Sequence, residues 1–187
     1  APPPDGNQAA LESRQAVELL RMCLDAGYDR AQTLTAVNGM MLLAGQGERF
    51  TTVDLFLLDL WTGKASLDKL GAAGSYLMQA EGLSLLGGDA LPLGILENVE
   101  SGEKLMQLHQ GDTLILLSDG VEDAYENRQA MEETIRDALT LETAQDAANA
   151  ILTGAQSGDS APADDQTVLV LRLIRARADA KIEEMYQ

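Results

Sequence analysis

Apolar positions first recur along the chain at helical spacing. Val17, Leu20 and Leu24 form one stripe with Glu12, Arg14 and Glu18 off it, and Gly27 ends the pattern. Asp29 with Gln32 three residues on reads as a cap and its reciprocal partner. Leu34, Val37 and Met41 then give the stripe of a second helix, which Gly45 and Gly47 break.

From Thr51 the period changes to two. Val53, Leu55 and Leu57 alternate, Trp61-Thr62-Gly63-Lys64 makes a turn, and Ala65 to Leu70 return antiparallel as a hairpin. Short strands follow at Tyr76 to Gln79, Leu83 to Leu86 and Glu103 to Leu108. Leu91-Pro92-Leu93-Gly94 is an extended connector, and antiparallel pairing with short links is the simplest arrangement.

The run Thr113-Leu114-Ile115-Leu116-Leu117 is almost wholly apolar, the signature of a strand covered on both faces, and it ends in Ser118-Asp119-Gly120. Met131, Ile135 and Leu139 then mark one amphipathic helix, and Ala144, Ala147, Ala148, Ile151 and Leu152 another. A polar loop from Gly154 to Ala163 leads through Asp164-Asp165-Gln166-Thr167 into Val168 to Ile174, read as a buried strand, with a closing helix from Arg175.

This order predicts an α+β domain of sheets covered by helical layers. One domain over 1–187 carries helices in 8–45, a strand meander in 50–118, helices in 119–155 and a last strand in 164–175.

Charge narrows the function classes. Lys and Arg number 13 against 30 Asp and Glu, a formal net charge of -17, which repels nucleic-acid backbones and anionic membrane surfaces. The acidic excess has two readings, solvated helix faces that aid solubility or a field that concentrates metal cations, and charge alone proposes no ligand. The single cysteine, Cys23, cannot pair within the chain, and its apolar neighbours predict a buried position in a reducing compartment. His109 stands alone in a turn, with no second histidine for a zinc cluster. No apolar run approaches the roughly 20 residues of a membrane span, and Ala1-Pro2-Pro3-Pro4 has no signal-peptide pattern. The chain therefore reads as a soluble cytoplasmic domain.

The candidate chemistry lies at two strand ends. An aspartate that closes an apolar strand needs a cation, a donor network or solvent, because burying it unpaired costs several kcal/mol. For Asp119 the bland reading is an Asp-Gly turn, and for Asp164-Asp165 a solvated loop edge or cap. Adjacent like charges leading into an apolar strand nevertheless repel, and a cation relieves that. Carboxylate oxygens without His or Cys suit Mg2+ or Mn2+, whose bound water is a candidate nucleophile.

Several segments together carry a family resemblance. They are Glu12-Ser13-Arg14-Gln15-Ala16-Val17, Thr52-Val53-Asp54-Leu55 with Asp59-Leu60-Trp61-Thr62-Gly63, and Gly71-Ala72-Ala73-Gly74-Ser75. Pro92-Leu93-Gly94-Ile95, Gly111-Asp112, Ser118-Asp119-Gly120-Val121 and Asp164-Asp165-Gln166-Thr167 complete the set. Over nearly its whole length the chain resembles the metal-dependent PPM (PP2C-like) serine/threonine phosphatases, most closely the SpoIIE-type phosphatase domain of sporulation. The resemblance implies an α-β-β-α sandwich of two mainly antiparallel sheets flanked by helices, N-terminally incomplete. It implies Mn2+ or Mg2+ as cofactor, Asp119 and Asp164 as metal ligands, and Gly120 and Asp165 as supporting residues, with no catalytic side chain separate from the metal-bound water. The first two helices match a pair proposed in that group to switch position, and read equally well as ordinary core helices.

The family also places an aspartate and an Asp-Gly-x-Gly-x-Gly loop before the first helix, where this chain reads Ala1-Pro2-Pro3-Pro4-Asp5-Gly6-Asn7. Either Gly6 is the last glycine of that loop, or Asp5-Gly6 is itself the bridging pair. The tri-proline suits neither a central strand nor a metal loop. Under the first alignment the chain starts inside the domain, and weak metal binding with little turnover is expected.

By resemblance the substrate is phosphoserine on a small anti-sigma-factor antagonist, a STAS-type protein. No nucleic acid or direct membrane contact is expected, a homodimer is compatible with the sequence, and an upstream region could tether the parent protein to a membrane. Two alternatives stay open: a non-catalytic PPM-like scaffold or sensor, and an RsbU-type stress-response phosphatase.

Overall fold

The computed structural model describes residues 6–45, 50–88, 90–99, 102–157 and 164–174. The closing helix expected from Arg175 lies outside them. The chain divides into two compact units: 1–60 with 64–73 and 87–106, and 61–63 with 74–86 and 107–187.

The first unit holds helices α1 (Gly6–Asp25) and α2 (Arg30–Gly45), with strands β1 (Val53–Leu58), β2 (Lys64–Leu70) and β5 (Lys104–Gln107) in the sheet order β1-β2-β5. The predicted cap of α2 is reciprocal. Gln32 N–H donates to Asp29 Oδ1 at 2.8 Å and Asp29 N–H donates to Gln32 Oε1 at 3.0 Å. β1 and β2 pair antiparallel from Val53 opposite Leu70 to Leu58 opposite Ala65, as the alternation predicts.

Leu34, Val37 and Met41 of α2 are buried with Ala16 and Leu20 of α1 and Leu55, Leu70 and Leu93. Val17 is a miss, being 63% exposed: α1 turns Ala16 and Leu20 inward, with Leu19 and Leu24 beside them. Cys23 is half-buried rather than buried.

The second unit holds β3 (Ser75–Gln79), β4 (Gly82–Leu86), β6 (Thr113–Leu117) and β7 (Val168–Arg172), ordered β4-β3-β6-β7 with every neighbouring pair antiparallel. A one-turn helix α3 (Asp119–Glu122) leaves β6 directly, followed by α4 (Arg128–Ala138) and α5 (Ala144–Ala155). The longer two have side-chain caps. Asn127 Oδ1 accepts from Ala130 N–H, and Thr143 Oγ1 accepts from Asp146 N–H, each at 3.0 Å. Their apolar faces bury Met131, Ile135, Ala147 and Ile151 with Tyr76, Ile115, Leu117 and Val121.

Strand links are less local than the simplest reading. β5 joins β2 rather than the preceding β4, and β3 pairs with both β4 and β6. β6 is central and largely buried, as its apolar run predicts. β7 is not the buried strand expected. It is an edge strand, so Leu169 is 54% exposed and Ile174 beyond it 79%. Asp112, buried before β6, accepts hydrogen bonds from Gln79 Nε2 and His109 N–H at 2.8 Å each, which sets the turn that starts the strand.

Candidate metal centre

The β6–β7 ladder runs from Thr113 opposite Arg172 to Leu117 opposite Val168, so the residues beyond its end, Ser118-Asp119-Gly120 and Asp164 to Thr167, meet at one edge. Both sequence-predicted aspartates stand there. Asp119 begins α3, and its Oδ1 accepts the next residue's amide, Gly120 N–H, at 3.0 Å. Asp164 Oδ1 likewise accepts Asp165 N–H at 2.7 Å. Each local bond holds one carboxylate oxygen and leaves the other without a protein partner among the described residues. Both side chains are exposed, and no Lys or Arg among the described residues pairs with either.

Buried Gly120 explains the close approach of the two segments. A Cβ there would lie 2.5 Å from Asp165 O and 3.2 Å from Asp164 C, so only glycine lets these backbones touch. Hydrogen bonds lock the contact. Ser118 N–H donates to Thr167 O at 3.0 Å, and Thr167 N–H donates to Ser118 Oγ at 2.9 Å. Ser118 Oγ donates in turn to Asp165 O at 3.1 Å, and Gln166 Nε2 donates to Gly120 O at 3.1 Å. Asp165 thus joins this contact through its backbone carbonyl, while its side chain is exposed. Gly74 N–H donates to Glu122 Oε2 at 3.1 Å, tying the turn before β3 to α3.

Ser118, Gln166, Thr167 and Glu122 carry no assigned role in the sequence reading. The first three do lie inside the two quoted motifs, which is the signal their positions offered. Asp5 lies outside the described residues, and Gly6 opens α1.

The donor set is all oxygen, as a hard cation requires. No group of three or more His, Cys, Asp and Glu side chains converges among the described residues. Two carboxylates are still a fitting number for Mg2+-like ions, which keep several waters and are commonly held by one or two carboxylates together with substrate phosphate. The glycine contact and the unpaired carboxylate oxygens therefore fit two ligands of such an ion.

The family profile described as Stage II sporulation protein E (SpoIIE) matches residues 5–174. The chain belongs to the SpoIIE family. Its similarity to Stage II sporulation protein E of Priestia megaterium is 29% identity over 117 residues, 63% of this chain and 20% of that protein. The SpoIIE-family chain thus spans about a fifth of that relative's length.

Among solved structures it is similar to the PP2C phosphatase domain, with a fragment of the regulatory domain, of the cell fate determinant SpoIIE from Bacillus subtilis. The TM-score is 0.79 at 26% identity, covering 90% of this chain and 51% of that one. The catalytic domain of the serine/threonine protein phosphatase PstP, solved with two manganese ions, shares the fold at a TM-score of 0.68 and 20% identity, over 87% of this chain and 82% of that one. The chain has the fold of that PP2C phosphatase domain, with helices and two largely antiparallel sheets, as the resemblance implied. No described helix is long and apolar enough to cross a membrane.

Proposed function

We propose that this domain supplies the later half of a divalent-metal centre in a protein serine phosphatase. Asp119 and Asp164 would be ligands to Mn2+ or Mg2+, and the substrate phosphoserine on a small STAS-type anti-sigma-factor antagonist. The observation that carries this reading is the Gly120 contact, at a sheet edge where two exposed carboxylates have no Lys or Arg partner among the described residues. Membership of the SpoIIE family and the manganese ions of PstP support the chemistry.

Asp119 and Asp164 would hold the divalent cation, which when bound would lower the pKa of a water and offset charge on phosphoryl oxygens. The chain's own residues orient the ligands. Gly120 and Asp165 amides each fix one carboxylate oxygen, leaving the other free to coordinate. A net charge of -17 makes a free phosphate dianion a poor ligand for the surface at large, so capture depends on the local cation.

The test is phosphate release from a phosphoserine-bearing antagonist by the full-length protein, with Mn2+ and with excess chelator. Release with Mn2+ that chelator abolishes is expected. Chelator-insensitive release, or none with Mn2+ at any concentration, contradicts the reading.

A further inference from the structure

Ser118 sits where the backbone ladder of β6 and β7 stops, one residue past the last pair, Leu117 opposite Val168. Its backbone continues the ladder for one more bond, to Thr167 O at 3.0 Å. Its hydroxyl then does what the next backbone pair would have done. It accepts Thr167 N–H at 2.9 Å and donates to Asp165 O at 3.1 Å. One small group thus satisfies both a donor and an acceptor of the opposite segment, as a hydroxyl can. The residues on either side of this bridge are Asp119 on one segment, and Asp164 with Asp165 on the other.

We infer that Ser118 is a positioning residue for the metal centre, its hydroxyl fixing the spacing of the Asp119 and Asp164 carboxylates by bridging Asp165 O and Thr167 N–H. The inference rests on the proposed function. Asp164 is anchored to the sheet through Asp165, whose amide it accepts and whose carbonyl Ser118 holds. Loss of the hydroxyl leaves Gln166 Nε2 on Gly120 O as the remaining side-chain link between the two segments among the described residues. A cation held by both carboxylates would respond steeply to such freedom, because partners outside the ligand shell commonly change metal affinity by about 10- to 100-fold.

The experiment compares the unsubstituted protein with Ser118→Ala, Ser118→Thr and Ile151→Val, titrating Mn2+ alone by calorimetry and following amide hydrogen exchange at Thr167. Ser118→Ala is expected to weaken Mn2+ binding by about 10-fold and to speed Thr167 exchange. Ser118→Thr keeps the hydroxyl and should stay within about 3-fold of the parent on both readouts. Ile151→Val loosens the buried core of the same unit without touching the bridge, so its Mn2+ affinity should be unchanged. Parent-like Mn2+ binding by Ser118→Ala, or an equal loss in Ile151→Val, overturns the positioning role while leaving the metal site standing. Failure of the unsubstituted protein to bind Mn2+ overturns the metal reading and this inference with it.

Discussion

Gly120 lies so close to Asp165 that a Cβ on the glycine would stand 2.5 Å from the Asp165 carbonyl oxygen. Backbone cannot yield as a flexible side chain does, so Gly120→Ala must push the Asp119 and Asp164 segments apart. A stability loss of about 1–3 kcal/mol is expected, read from urea unfolding, together with weaker Mn2+ binding. Gly39 in α2 is the contrast, since a Cβ there meets nothing within 4 Å. Gly39→Ala should raise stability by about 0.5–1 kcal/mol.

Arg30 and Asp68 form the second dependency. Asp68 is fully buried on β2, its Oδ1 accepts from Arg30 at the start of α2, and Oδ2 has no hydrogen-bond partner among the described residues. Arg30 also donates to Glu103 at 3.0 Å. Arg30→Ala strands a buried carboxylate and should cost about 3–5 kcal/mol, whereas Arg30→Met with Asp68→Leu should recover most of the loss. Chemical denaturation of the unsubstituted protein and these two variants checks this. Equal destabilisation by the single and double changes would show that packing, not the stranded charge, is responsible.

Two tyrosines make opposite predictions. The Tyr125 hydroxyl donates to Ile151 O at 2.7 Å, while that of Tyr76, on the inner strand β3, is buried with no hydrogen-bond partner among the described residues. Tyr125→Phe should therefore cost about 1 kcal/mol, and Tyr76→Phe should be neutral or slightly stabilising.

Burial raises both phenols above their ordinary value of 10.0, with Glu132 adding to the effect at Tyr76. A raised folded pKa means the native state holds its proton more tightly. Stability is thus fully present below about pH 10 and falls as pH rises through the folded values. Urea midpoints at pH 8 and pH 11 should show this fall, and it should be smaller in either Phe variant.

Local pattern carried much of the fold. The Asp29–Gln32 cap, the alternation of β1 and the apolar run of β6 all depend on residues a few positions apart, and each stands as read. Val17 and β7 depart from the pattern because exposure is decided by what packs alongside. Leu169 has the residue type of a core strand but sits at the sheet edge. The two aspartates were legible as strand-end charges and as motif residues. The Ser118 bridge was not, because it joins small polar residues 47 and 49 positions apart, and such pairings leave no periodic trace.

Whether Asp119 and Asp164 act together at one metal centre is read from the Mn2+-dependent rate of phosphoserine hydrolysis in Asp119→Asn, Asp164→Asn and the double variant. Each single change should lower the rate by at least about 100-fold, with the double variant little worse than either, as for residues that work as a unit. Rates in both single variants equal to that of the unsubstituted protein would show that these two carboxylates hold no catalytic metal.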